Sequence, residues 1–250
     1  MVVVFGLTVL FAGTLNGVAG FGFALVGTMV LATIVDPATA VVFMIVPILA
    51  VNLSLVRDLS RDELRTCRRR FGPLVVAALV GTVAGMVVLN DLPAGPLRIG
   101  LGLLSLSFVA TTQSAVPIPG QTRAAQRCFV ETGPAMAGVG VVSGLLFGGT
   151  NVGVQLIAYL RSCNLDHATF VGVVAMVFLA LNVVRVGVAG VVGLYPNASV
   201  VLASVGAVVP AVVGVAGGKR LRNRVSKKWR RRVVLVLLTV IGVRLVLGGL

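Results

Sequence analysis

Arg185 is the residue of this sequence that most needs a chemical explanation. It has eight or more uncharged residues on each side, and Asn182 lies three positions before it, on the same face of any helix. A guanidinium in apolar surroundings needs water, a partner or an anion. Upstream, "GLLFGGTN" (144–151) offers Gly148, Gly149, Thr150 and Asn151, with Gln155 one turn further on. An earlier stretch, "NGVAGFG" (16–22), offers Asn16, Gly20 and Gly22. Glycines that break a helix expose backbone N–H groups and positive dipole ends, which suit an anion. The chemistry these residues offer is therefore anion binding, with Asn52 and Asn182 as polar groups along the same path.

The opposing reading of these glycines is close helix packing, and that of Asn52 and Asn182 is interhelical hydrogen bonding. Arg185 could also extend its head towards an interface. Asp36 and Asp166 each open an apolar segment, where a carboxylate caps a helix; proton coupling is the secondary reading. His167 follows the second of them and is read as interfacial. No Ser/His/Asp arrangement, carboxylate pair or phosphate-binding loop is present, so the chain is expected not to be an enzyme. No cofactor is implied. Cys67, Cys128 and Cys163 form no CxxC pattern, which argues against a metal site or a disulfide framework.

The elements that must hold these residues are membrane helices. Of 250 residues, 58% are hydrophobic and 11% charged, and the mean hydropathy is +1.08. A soluble domain carries about a quarter charged residues. Apolar segments fall at 2–35, 37–56, 71–90, 95–112, 132–160, 167–192, 198–217 and 233–249. The fold class expected is an all-α polytopic membrane protein. The net charge of +14 is concentrated, with nine of 21 basic residues between Lys219 and Arg232 and six between Arg57 and Arg70. That distribution matches short loops beside spans and contact with anionic headgroups near 219–232, and it argues against nucleic-acid binding.

The second four segments echo the first four. At an offset of 127, Gly6, Gly13, Gly17 and Gly22 meet Gly133, Gly140, Gly144 and Gly149. At 130, Asp36 meets Asp166 and Asn52 meets Asn182; at 133, Gly81 and Gly85 meet Gly214 and Gly218. The repeats are 1–112 and 131–250, joined by a linker at 113–130. Loop 57–70 has six basic residues and its counterpart 187–197 has none; loop 90–97 has no basic residue and its counterpart 218–232 has nine. Opposite charge bias implies inverted repeats, with 57–70, 113–130, 161–166 and 218–232 on the cytoplasmic side of the cell membrane. Inversion requires an odd number of crossings per half. The 2–35 segment would be about 52 Å long as one straight helix, so it and 132–160 are read as re-entrant hairpins, with two short spans each as the alternative.

The glycine-rich openings of both halves, 16–53 and 143–185, and the glycine–basic loop before the last span, 218–247, resemble the sulfite exporter TauE/SafE family of membrane permeases. The resemblance implies transport of small sulfur-containing anions such as sulfite or sulfonates, by alternating access at a midplane site between the halves. The bulky Phe21 between Gly20 and Gly22 departs from the family's broken turn. Export is the favoured direction. Ion-coupled uptake of an organic anion and a non-transporting membrane assembly protein are the alternatives. Composition alone does not decide the oligomeric state.

Overall fold

The computed structural model of the chain describes residues 2–19, 22–56, 61–112, 133–162 and 167–250. Gly20, Cys128, Cys163, Asp166 and the linker at 113–130 lie outside the described residues, as do the side chains of Cys67 and His167. Every described regular element is a helix: α1 (Val2–Ala19), α2 (Phe23–Ala32), α3 (Pro37–Phe43), α4 (Ile45–Val56), α5 (Arg61–Asp91), α6 (Ala94–Thr112), α7 (Gly133–Thr150), α8 (Val154–Ser162), α9 (His167–Val191), α10 (Ala198–Gly206), α11 (Val208–Leu221) and α12 (Lys227–Leu247), with a 3-10 turn at Arg222–Arg224. Among the described residues, four stretches are long and apolar enough to cross a membrane (Pro37–Ser54, Phe71–Asp91, Gly133–Thr150 and Ala198–Leu221), and several shorter apolar helices accompany them. The architecture is that of a polytopic membrane protein.

Local chemistry accounts for most of the ends and breaks. Asp36 caps α3 by accepting from the Thr39 N–H at 3.0 Å, with Pro37 in the first helical position. The expected single helix 37–56 is interrupted at Met44. Pro47 has no N–H for the Phe43 carbonyl, and the Ser204 hydroxyl donates to that carbonyl instead at 2.6 Å. Pro210 stands in the same relation to the break between α10 and α11 at Ala207. Two segments expected as basic loops are partly helical. The α5 helix begins at Arg61, and α11 runs on to Leu221 while α12 starts at Lys227. Arginine and lysine are good helix formers, so charge ends the apolar run without ending the helix.

Glycine contacts fix the helix directions. A Cβ on Gly81 would overlap the Val141 carbonyl, one on Gly85 the Leu145 carbonyl, and ones on Gly144 and Gly148 the carbonyls of Ala78 and Thr82. Both numbers rise together, so α5 and α7 run parallel in backbone contact. Gly13 meets Ala211 and Gly17 meets Val215 in the same way, making α1 and α11 a second parallel pair. By contrast, Gly95 faces Gly249 and Gly102 faces Gly242, and the Ser105 hydroxyl donates to the Leu238 carbonyl at 2.9 Å. One number rises as the other falls, so α6 and α12 are antiparallel. Within the first segment, Ala12 lies against Gly27 and the Phe23 N–H bonds to Asn16, so α2 folds back along α1.

The packing also shifts the glycine register at one place. Gly81 meets Val141 and Gly218 meets Thr14, and Thr14 and Val141 are themselves 127 apart. Gly218, one turn beyond the expected Gly214, therefore has the neighbours that correspond to those of Gly81.

Candidate functional site

The α7 helix ends at Asn151, which adopts a left-handed conformation (φ 61°) and donates its N–H to the Phe147 carbonyl at 3.0 Å. Asparagine is one of the few residues that enters this region without large strain. The "GLLFGGTN" stretch was expected to be an unwound turn, but residues 144–150 are the last two turns of α7, and the break is at 151–153. Gly144 and Gly148 are in the helix because they let α5 approach, and Gly149 completes that face, 3.4 Å from the Gly85 carbonyl if given a Cβ. The first segment behaves likewise. Asn16 and Gly17 are helical, within α1, and not part of a turn.

The Asn151 side chain is 1% exposed. Its Nδ2 donates to Thr28 Oγ1 at 2.7 Å and to the Val41 carbonyl at 2.9 Å, joining the end of α7 to α2 and α3. Its Oδ1 has no partner among the described residues. One residue earlier, Thr150 donates its hydroxyl to the Leu146 carbonyl and accepts from the Val152 N–H at 3.2 Å. That bond diverts the N–H that would otherwise close on the Gly148 carbonyl.

Arg185 takes the Gly148 carbonyl. Its Nη2 donates there at 3.3 Å and its Nη1 donates to Asn182 Oδ1 at 3.4 Å, while Nε is buried with no partner among the described residues. Asn182 is anchored by donating Nδ2 to the Phe178 carbonyl at 2.7 Å. The guanidinium lies 4.8 Å from the centre of the Phe147 ring, which packs against Phe178 at 5.1 Å. Arg185 is 0% exposed. Among the described residues it has no carboxylate partner, because Asp36 and Asp91 are both exposed and bonded locally. Burial pushes the Tyr195 phenol above its ordinary value, with the Arg185 charge opposing, so Tyr195 presents a neutral hydroxyl and not a counter-anion.

Arg185, Asn182, Gly148, Thr150 and Asn151 thus converge. Gln155, at the start of α8, is half-buried with Oε1 unpartnered. The other expected residues lie apart from these bonds. Asn16 accepts from the Phe23 N–H at 3.3 Å and serves as a cap for α2, Gly22 holds the turn in a left-handed conformation (φ 97°), and Asn52 is half-buried on α4. Three neighbours were not singled out from sequence: Thr28, Phe147, and Thr82, whose buried hydroxyl is unpartnered. Thr82 does carry a signal, as a polar residue beside Gly81 in an otherwise apolar run.

The family model described as Sulfite exporter TauE/SafE matches residues 5–245, nearly the whole chain. The chain belongs to the sulfite exporter TauE/SafE family. As a TauE/SafE protein it is a membrane transporter, and its apolar helices fit a permease. No curated protein and no solved structure matches the chain. In this TauE/SafE chain the Arg185 Nε–H and the Thr82 hydroxyl are the unpartnered groups near the end of α7 that can donate, whereas the unpartnered Asn151 Oδ1 and Gln155 Oε1 are acceptors, and the carboxamide donors of Asn151 and Asn182 are already engaged.

Proposed function

We propose that the chain is a permease that moves a small sulfur-containing anion, such as sulfite or a sulfonate, out of the cell across the cytoplasmic membrane. The observation that carries this reading is Arg185: a fully buried guanidinium with no carboxylate partner among the described residues and a free Nε–H. The Nε–H and an adjacent Nη–H form the planar fork that matches two oxygens of a sulfite or sulfonate group. Asn182 orients the guanidinium, Gly148 holds its other edge, and Thr150, Asn151 and Gln155 are the neighbouring hydrogen-bonding groups. Gly20, Gly22, Asn16 and Asn52 belong to the path on the first-half side. Expelling one negative charge is favoured by about 2.3 kcal/mol per 100 mV with the inside negative, so export needs no coupling ion.

The repeats are inverted in this reading. The fourth helices of the two halves, α6 and α12, run antiparallel, and each half's first helix packs parallel to the other half's third. An exchange of that kind fits a two-fold axis lying in the membrane plane. The two first segments are hairpins, in keeping with the fold-back of α2 on α1. The site lies between the halves, since Asn151 of the second meets Thr28 and Val41 of the first. Alternating access then moves the α1–α11 and α5–α7 pairs against each other. The basic stretches 57–70 and 218–232 face the cytoplasm, with 219–232 at anionic headgroups.

Flux in proteoliposomes tests the proposal directly. With sulfite, thiosulfate, taurine or sulfoacetate supplied under an imposed potential, at least one sulfur anion is expected to move towards the positive side. No flux of any of them under either polarity overturns the reading.

A further inference from the structure

Of the nine basic residues between Lys219 and Arg232, Arg230 makes a long-range bond into the body of the protein. Its Nη1 donates to the Val18 carbonyl at 2.7 Å, at the end of α1. Arg230 is half-buried, and its Nε is shut from solvent with no partner among the described residues. Lys219, Arg220, Arg222, Arg224, Lys228 and Arg232 around it in sequence are exposed. The hydrogen bond to Val18 fixes the guanidinium plane and leaves its Nε edge without an acceptor, within a segment that holds nine positive charges. The α2 helix starts five residues after Val18, and its first N–H is already taken by Asn16 Oδ1.

The geometry points to Arg230 as a second oxyanion site, at the end of the bundle that carries the basic segment. Its ligand is a group with two or more oxygens sharing negative charge, such as a sulfate-like ion or a lipid phosphate, held by the planar Nε–H and Nη–H edge and attracted by the surrounding cations. The site shares no residue with the Arg185 cluster, so binding here stands or falls separately from transport. A capping role for Arg230 accounts for the Val18 bond and leaves the buried Nε without a purpose.

The only tryptophan of the chain, Trp229, is 62% exposed and adjacent to Arg230, so intrinsic fluorescence of the purified full-length protein reads this site. Titration with sodium sulfate is expected to give a saturable change that sodium chloride at matched ionic strength does not. Vesicles of phosphatidylcholine containing phosphatidylglycerol form the second arm, against phosphatidylcholine alone. A response to sulfate identifies a small-ion site; a response only to phosphatidylglycerol identifies a headgroup site, and either supports the inference. Arg230→Gln is expected to abolish the response, Arg230→Lys to weaken it at least tenfold because the fork is lost, and Arg185→Gln to leave it intact. Thermal unfolding of each variant separates lost binding from lost fold. A response that chloride reproduces, or one that persists in folded Arg230→Gln protein, overturns it.

Discussion

At the scale of single residues, a guanidinium closed off from water remains charged only if dipoles or an anion replace its hydration. Around Arg185 the dipoles are few: one carbonyl, one carboxamide oxygen and an aromatic face. Arg185→Gln is expected to cut sulfur-anion flux at least tenfold while the thermal midpoint of the detergent-solubilised protein moves by only a few degrees. A large loss of stability with flux unchanged per folded molecule assigns Arg185 to capping α7. Asn151 separates in the same manner. Asn151→Gly keeps the left-handed backbone and is expected to cost about 1 kcal/mol, whereas Asn151→Asp sets a buried carboxylate oxygen against the Val41 carbonyl, with only the Thr28 hydroxyl able to turn and donate to it, and is expected to cost about 3 kcal/mol, read by thermal unfolding. Arg185 and Asn182 are legible from sequence because a charge and an amide three residues apart stand out in an apolar run. The roles of Thr28 and Phe147 are not, because they arise only when helices distant in sequence meet.

At the scale of elements, glycine is ambiguous in sequence: it marks both a break and a close contact, and here adjacent glycines do different things. Gly148 admits α5, whereas the chain leaves the helix three residues later at an asparagine. Reading 144–151 as a turn fails for that reason, since the deciding partner, Thr82, is on another helix. Helix identity and most boundaries can be read from apolar length, and caps such as Asp36 and Asn197 can be read from residue type. The kinks caused by Pro47 and Pro210 need only the missing N–H to be foreseen. Substitution distinguishes the two uses of glycine. Gly144→Val sets a side chain into the Ala78 backbone and is expected to destabilise by about 3 kcal/mol or more, whereas Gly138→Val on the same helix meets open space and is expected to change stability by less than about 0.5 kcal/mol.

At the scale of the whole molecule, matched glycines and asparagines are what suggest two repeats in the sequence, whereas the pairing of α1 with α11 and of α5 with α7 could not be read there, because offsets say nothing about which helix fills which groove. The proposed inverted arrangement would put Ser199, exposed at the start of α10, outside the cell. A cysteine substituted there is expected to react with a membrane-impermeant maleimide added to intact cells, and reaction only after the membrane is opened reverses the topology. The α1–α11 pair joins opposite ends of the chain, Gly13 to Ala211 and Gly17 to Val215. This imposes an order on biosynthesis. The α1 helix enters the bilayer with its small-residue face bare, and its mate emerges about 200 residues later, roughly 10–40 s at ordinary elongation rates. Until then, lipid or the insertion machinery must stand in for α11, so slowing the ribosome late in the message lengthens the interval in which the nascent chain is open to membrane proteases.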